Sequence, residues 1–161
     1  MLSDPDRARH FEALVHASPD FLALADIEGR VQFVSVAGRR LVGMPDDVDV
    51  TTTTIADYLT EEGMAASLEV EQPSILATGS WQGESTLRDW RGGPPIPVAI
   101  SSFLVTDLQD GRPLALATVQ RDLRESRAAA AQVLSAQEAL LEAERRQRAL
   151  LLHMSDVIVA V

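Results

Sequence analysis

The chain has 161 residues, enough for one ordinary domain with an extension, and 46% of them are hydrophobic. The net charge of −10 argues against nucleic acid or an anionic membrane surface as a partner, because both attract clustered basic charge. The lack of cysteine excludes disulfides and thiolate chemistry, and no apolar run is long enough for a membrane span, so we expect a cytoplasmic protein.

An amphipathic helix is predicted for residues 1–18. Pro5 suits the first turn of a helix, where a missing N–H leaves no hydrogen bond unmade. Phe11, Leu14 and Val15 then fall on one helical face. This face needs an apolar surface to cover, in the same chain or in a partner.

The next segment predicts a strand, a turn and a second strand over residues 21–36, with Glu28-Gly29 as the turn. A short helix is expected from Ala37 to Met44. Residues 45–54 form an acidic, threonine-rich stretch for which no regular structure is predicted.

The middle of the chain predicts one helical turn over residues 55–59 and a longer helix over residues 63–77. Pro73 interrupts this longer pattern and is expected to kink or restart the helix. A third strand is predicted over residues 81–90.

The centre of the predicted fold is a hairpin within residues 96–123. Two apolar runs, over residues 96–106 and 113–120, are separated by a turn that contains Asp110-Gly111. Both alternating faces of these strands are apolar, which is typical of strands in the middle of a covered sheet. The order of elements therefore predicts an α+β fold with one antiparallel sheet and helices on one face.

The C-terminal part predicts a long helix, because residues 121–153 contain no Gly or Pro. Val133 and Leu140 lie seven residues apart in a short coiled-coil register. The helix either forms a dimeric coil or folds back on its own domain. Residues 154–161 predict an apolar strand, and Leu151–Val161 weakly repeats Leu14–Leu24. The last residues either begin a following, similar domain or form a tail whose likeness to Leu14–Leu24 is due to chance. In both cases we expect the chain to be cut from a longer protein.

Three motifs, met in this order, resemble the PAS domain, a sensory module of bacterial signalling proteins. Residues 24–43 match the strand-Asp-x-x-Gly-Arg-strand pattern, with a short helix that ends in Gly. Residues 92–98 match a Gly-x-x-Pro-Val turn and strand, and Arg121-Asp122-Leu123 matches the junction after the closing strand. The resemblance covers about residues 11–127.

The resemblance implies a five-stranded antiparallel sheet with helices on one face, plus an N-terminal helix and a C-terminal signalling helix. It divides the chain into an N-terminal helix (1–18), a PAS domain (19–123), a coiled-coil linker helix (124–153) and a terminal segment (154–161).

The resemblance also implies a pocket between the sheet and the helices. The residues expected to line it are Leu68, Ile75, Leu76, Val98, Ile100, Ser102, Leu104, Leu116, Thr118 and Gln120. Arg121 and Asp122 are the expected junction through which a signal leaves the domain. The expected dimer interface consists of Phe11, Leu14, Val15, Phe103, Val105, Val133 and Leu140.

The cofactors of such domains place demands that this sequence does not meet. A light-sensing flavin domain needs a reactive cysteine, although Gln120 stands where such domains place a flavin-contacting Gln. A haem domain needs an axial histidine on the long helix, and none occurs there. Haem and covalently bound flavin are therefore not expected, and no metal site is predicted. The pocket would suit a fatty acid or another small apolar ligand, unless its residues are simply packed core.

The sequence thus predicts a sensory and regulatory module that forms a homodimer and controls a downstream effector domain in the same chain. Such outputs include histidine kinases, cyclic-dinucleotide enzymes and phosphatase or kinase regulators of sigma factors, and an N-terminal module of such a regulator is one candidate. The alternative is a ligand-free dimerisation scaffold. A stand-alone enzyme is not expected, because no phosphate-binding loop, Ser-His-Asp set or metal-ligand cluster is found.

Overall fold

The computed structural model describes residues 4–159, which divide into two compact units between Leu123 and Arg124. The helices are α1 (Asp4–Ala17), α2 (Val36–Val42), α3 (Ile55–Tyr58), α4 (Glu61–Ala66), α5 (Gln72–Thr78) and α6 (Arg124–Val159). The strands are β1 (Phe21–Ala25), β2 (Val31–Val34), β3 (Ser80–Leu87), β4 (Ile96–Thr106) and β5 (Pro113–Asp122).

The five strands form one antiparallel sheet in the order β2-β1-β5-β4-β3, which confirms the predicted fold class. The predicted hairpin consists of β4 and β5 and occupies the middle of the sheet. Ile100 lies opposite Gln120 and Ser102 lies opposite Thr118. Because directly opposed residues point to the same face, the even-numbered side chains of both strands share the inner face.

The hydrophobic core lies on the inner face, towards one end of β4. Val42, Ile96 and Val98 are 0% exposed there. The ring of Tyr58 contacts Phe21 edge-on, with centroids 6.0 Å apart, and Trp90 at 5.7 Å. Burial of each large apolar side chain stabilises the fold by about 1.5–3 kcal/mol, so this end is expected to dominate stability.

Local side-chain hydrogen bonds explain the start of the domain. Asp26 Oδ1 accepts from the backbone N–H groups of Glu28 and Arg30, at 3.0 and 2.8 Å, so it caps the β1–β2 turn. Gly29 in that turn has a φ of 86°, which other residues adopt only with strain. Ser35 Oγ caps α2 by accepting from Gly38 N–H at 3.0 Å, and it also accepts from Leu22 N–H at 3.1 Å. The capped helix is thereby fixed to β1.

The helix predicted over residues 63–77 is in fact three segments. Between α4 and α5 the chain forms a π-helical turn over Ser67–Glu71, and Pro73 lies in the first turn of α5. The prediction of a restart near Pro73 was therefore close, but the wider turn before it was not foreseen. Pro73 lacks the N–H that a regular helix would use, which is consistent with an irregular turn just before it.

Three other predicted boundaries were wrong. The third strand ends at Leu87 rather than residue 90, because Trp90 N–H donates to Val42 O at 2.8 Å instead of pairing in the sheet. The threonine-rich stretch contains a 3-10 turn over Val50–Thr52, capped by Asp49. Residues 154–159 continue α6 and are not a strand, since no Gly or Pro stops the helix; residues 160 and 161 lie outside the described part.

Helix α1 has the predicted position, but its apolar side chains are not covered by this chain. Phe11 is 63% exposed and Leu14 is 68% exposed. Phe103, on the outer face of the sheet, is also exposed. Of the two predicted alternatives, coverage within the same chain is not observed for Phe11 and Leu14, and coverage by a partner stays a prediction.

Candidate ligand cavity

A cavity of about 80 Å³ lies between the inner face of the sheet and the helices α3 to α5. It begins where the packed end of the core stops. Six of the predicted pocket residues line it: Ile75, Ile100, Ser102, Leu116, Thr118 and Gln120. Strands β4 and β5 supply five of these six, because their opposed register brings even-numbered side chains to one place.

Four predicted pocket residues do not line the cavity. Leu68 and Leu76 are 53% and 81% exposed. Val98 is buried in the packed core instead, and Leu104 is half-buried away from the cavity.

Leu68 and Leu76 do not line the cavity because of their angular positions around the helix axis. Ser67, Glu71 and Ile75 follow one another at intervals of four residues and all line the cavity. Leu68 and Leu76 each come one residue after an inward-facing position, which turns them by about 100° around the helix axis. The apolar pattern selected the leucines, whereas the inward positions include two polar residues.

The sequence also did not indicate the contribution of β1 and α3 to the cavity. Phe21, Ala23 and Ala25 line it from β1, and Tyr58 lines it from α3. No local signal identifies them, because all five residues of β1 are apolar and a period-two pattern does not distinguish its two faces.

A close approach of backbone holds α4, and thus the π turn, against β3. A Cβ atom added at Gly63 would lie 2.7 Å from Thr86 O, so only glycine fits. Thr60 Oγ1 accepts from Gly63 N–H at 3.0 Å and lies 2.6 Å from Thr86 Oγ1. These contacts fix the height of the helical segment above the sheet and bring Ser67 and Glu71 to the cavity.

Gln120 is the most unusual group in the cavity. It is 5% exposed, and its Oε1 is buried without a hydrogen-bond partner among the described residues. Nearby polar groups on the same face are paired with each other, since Ser102 Oγ donates to Thr118 Oγ1 at 3.1 Å. A buried acceptor without a donor costs about 1–3 kcal/mol, so Gln120 Oε1 is a position where a ligand that donates a hydrogen bond would be stabilised.

Glu71 brings a carboxylate to the same cavity. It is the last residue of the π turn and is 9% exposed. The residues that line the cavity include no Arg, Lys or His that could neutralise it. Tyr58, the other ionisable group of the lining, is already hydrogen-bonded to Thr53 Oγ1 at 2.9 Å. Burial raises the pKa of Tyr58, so its hydroxyl is neutral at ordinary pH.

The predicted signal junction is held by a bidentate ion pair. Arg121 donates from Nε and Nη2 to the two carboxylate oxygens of Asp20, at 3.1 and 2.9 Å. The hydrogen bond with Asp20 raises the pKa of Arg121. Asp122 lies opposite Val98, and Leu123 N–H donates to Pro97 O at 2.9 Å. The end of β5 is therefore joined to both of its neighbouring strands.

The predicted dimer residues are accessible in the single chain. Phe11, Leu14, Phe103, Val133 and Leu140 are exposed, while Val15 and Val105 are half-buried. Within its described length, α6 has no buried residue at all. Its exposed large apolar side chains are Val133, Leu134, Leu140, Leu141, Leu150, Leu151, Leu152, Met154, Val157, Ile158 and Val159.

Covalently bound flavin and haem each require a residue that is missing from the lining of this cavity. Pockets for ligands of drug size measure about 300–1,000 Å³, several times the cavity found here. The chain has no cysteine for a covalent flavin bond, and no histidine lines the cavity to ligate haem. Over residues 4–159, no group of three or more His, Cys, Asp or Glu side chains could hold a metal ion.

None of the described helices is both long enough and apolar enough to cross a membrane.

Comparison with solved structures shows which proteins share this fold. The PAS domain of a protein from Colwellia psychrerythraea has a TM-score of 0.67 at 11% identity, over 74% of this chain and 99% of the other. A domain of a sensory box sensor histidine kinase/response regulator from Geobacter sulfurreducens has a TM-score of 0.57 at 18% identity, over 74% and 97%. An RNA-binding light-oxygen-voltage receptor has a TM-score of 0.67 at 15% identity, over 86% and 39%.

At these identities the structural likeness establishes the fold alone. No curated protein matches the sequence. The family model described as the PAS fold matches residues 9–123, a segment that contains all five strands and the helices between them. The chain belongs to the PAS family.

Proposed function

We propose that this chain is a sensory and regulatory module that binds a small ligand in its cavity. The change on binding passes along β5 into α6, and from there to an effector domain in the same protein. The observation that carries the proposal is the course of β5. This strand presents Gln120 to the cavity, continues into Arg121 and Asp122, and leads four residues after Gln120 to Arg124, the first residue of α6.

The module works as a homodimer in this proposal. The helical continuation beyond residue 153 extends the heptad register, because Met154 lies 21 residues after Val133, and Val157 lies seven after Leu150. Exposed apolar residues at heptad spacing need a partner helix. The apolar face of α1, with Phe11 and Leu14, is a second surface for the partner chain.

The effector is proposed from the family and not from this chain's own residues. A similar solved domain comes from a sensor histidine kinase/response regulator, which is a multidomain signalling protein. We propose an output domain of this broad kind, in a cytoplasmic protein. Catalysis by the module itself is not part of the proposal.

The size of the cavity limits which ligands it can hold. A long fatty acid would need far more than about 80 Å³, so the cavity would have to open before an acyl chain could enter. Glu71 would also place a negative charge close to a fatty-acid carboxylate. A smaller ligand therefore agrees better with the residues than the fatty acid expected from the sequence.

The relay is tested by hydrogen exchange of residues 121–135, followed by mass spectrometry in the full chain. Gln120→Leu removes the polar group of β5 from the cavity, and we expect exchange of this segment to change several-fold. Gln82→Leu is the control, because Gln82 is exposed on β3. Unchanged exchange in Gln120→Leu, or an equal change in the control, would contradict transmission through β5.

The dimer is tested by light scattering over a range of concentrations. The double variant Val133→Glu, Leu140→Glu should be a monomer, since both changes bury charge in the proposed helical seam. Leu134→Glu, Leu141→Glu is a matched control, with the same spacing on an adjacent line of the helix. A dimer that survives the first pair of changes, or is lost equally in both variants, would show that α6 does not pair in this register.

A ligand-free dimerisation scaffold is the second candidate, and the small cavity favours it. The unpaired amide of Gln120 argues in the other direction, because a scaffold gains nothing from it. A dimer in which hydrogen exchange of α6 is unaffected by every substitution at the cavity would identify the scaffold.

A further inference from the structure

We infer that the cavity selects a small ligand with an apolar body and a protonated amine head. This inference rests on the proposed function, since it specifies the ligand of the same site. Glu71 and Gln120 are the two groups that recognise the head: one offers a carboxylate and the other an amide oxygen without a partner.

The hydrogen-bonding character of the lining points to a donor. An ammonium group offers three N–H donors and no acceptor. The cavity offers the carboxylate of Glu71, the free Oε1 of Gln120 and the hydroxyl oxygens of Ser67, Ser102 and Thr118. An ionised carboxylate only accepts hydrogen bonds, and Gln120 Oε1 has no donor among the described residues, so an ammonium head can donate to both groups.

The charge of the lining points to a cation. Glu71 is nine-tenths buried, and no basic residue lines the cavity beside it. An ionised carboxylate attracts an opposite charge, and it does so more strongly beside apolar walls than in bulk water. An ammonium ligand supplies that charge, a neutral alcohol does not, and a carboxylate ligand would add a second negative charge.

The backbone at Glu71 is a further and independent sign of a site. Glu71 ends the π-helical turn Ser67–Glu71, and π turns inside helices occur frequently at functional sites. In this chain the turn brings both Ser67 and Glu71 to the cavity, at positions where a core would have apolar residues.

The rest of the lining sets the size of the ligand. Phe21, Ile75 and Ile100 give the cavity apolar walls. Its volume of about 80 Å³ is roughly half that of an engineered cavity of about 150 Å³ that takes up benzene. The ligand is therefore a short aliphatic amine and not an aromatic or long-chain one.

The test compares three probes of nearly equal size: propylamine, 1-propanol and propionate, at millimolar concentrations, neutral pH and matched ionic strength. Binding to the full chain is followed by shifts of backbone amide NMR signals from residues that line the cavity. We expect propylamine to bind at least about tenfold more tightly than 1-propanol, which corresponds to about 1.4 kcal/mol. Propionate should not bind. Equal binding of amine and alcohol, tighter binding of propionate, or binding of none of the probes would overturn the inference.

The variant Glu71→Gln sharpens the test. It should lose the preference for propylamine over 1-propanol while it still binds 1-propanol, which shows that the cavity is intact. Glu69→Gln is the control, because Glu69 is exposed on the same π turn, and it should keep the preference. A preference that survives in Glu71→Gln would overturn the role of the carboxylate. If this test fails, the relay and the dimer are still tested separately, by hydrogen exchange and by light scattering. Failure of the ligand assignment can therefore be told apart from failure of the proposed function.

Discussion

Strand β4 has two ends that differ on the same face of the sheet. At one end, Ile96 and Val98 are 0% exposed and pack against Val42 in an apolar core. At the other end, Ile100 and Ser102 face a cavity that also holds polar groups from other elements. The side-chain alternation is unbroken from one end to the other, so the difference lies in what covers the strand. The packed end provides stability, and the end with the cavity leaves polar groups in need of partners.

The largest effect is expected from a deletion at the packed end. Ile96→Ala leaves a space among fully buried neighbours and should lower the free energy of unfolding by about 2–5 kcal/mol. Ile27→Ala is the matched control, because Ile27 is exposed in the β1–β2 turn and its loss should change stability by less than about 0.5 kcal/mol. Urea unfolding followed by circular dichroism measures both. Similar losses in the two variants would mean that the packed end is not the main source of stability.

A substitution at the cavity is expected to increase stability instead of lowering it. Gln120→Leu removes a buried oxygen that has no hydrogen-bond donor and should raise the free energy of unfolding by about 1–3 kcal/mol when no ligand is bound. The same urea unfolding measures it. A loss of stability instead would mean that Gln120 finds hydrogen bonds in the protein, and the distinction between the two ends would then disappear.

Tyr58 lies between the two ends and is the only tyrosine of the chain. Tyr58→Phe removes its hydrogen bond to Thr53 and should cost about 1 kcal/mol. Thr53 Oγ1 keeps a second bond to Val50 O at 2.6 Å, which limits the loss.

The pH dependence of the same residue has a definite sign. The pKa of Tyr58 is raised above its ordinary value of 10.0 in the folded chain. Above pH 10 the unfolded chain loses the phenolic proton before the folded chain does, so stability should fall as pH rises through this range. Tyr58→Phe should show a smaller fall. Urea midpoints measured on both proteins between neutral pH and pH 11 decide it, and parallel curves would contradict a buried, neutral Tyr58.

The smallest effect on stability is expected at the junction. Arg121→Gln removes the ion pair with Asp20, but Arg121 is well exposed and solvent screens the pair. The melting temperature should therefore change less than in Ile96→Ala, Gln120→Leu or Tyr58→Phe, and the difference from the unchanged chain should shrink further in high salt. A shift as large as that of Ile96→Ala would show that the junction is a structural support and not only a connection.

Alternating strands and glycine turns let the sequence determine the fold. The hairpin of β4 and β5, the turn at Gly29 and the long helix after residue 123 all follow from local patterns, because period-two alternation, a positive φ and a run without Gly or Pro act over a few residues. The family resemblance also predicted the inner face of β4 and β5, and Ile100, Ser102, Thr118 and Gln120 line the cavity in the structure.

Only the tertiary structure determined which residues of the helical segment face β4 and β5 across the cavity. The π turn shifts the phase of the helical segment, so that Glu71 faces inward and Leu68 faces outward, opposite to what hydrophobicity suggests. Such a turn depends on how α4 approaches β3 at Gly63 and Thr86, residues far apart in the sequence. A pattern of neighbouring residues carries no information on how closely Gly63 and Thr86 approach each other. The part of the cavity formed by β4 and β5 was therefore predictable from the sequence, whereas the carboxylate that Glu71 contributes was not.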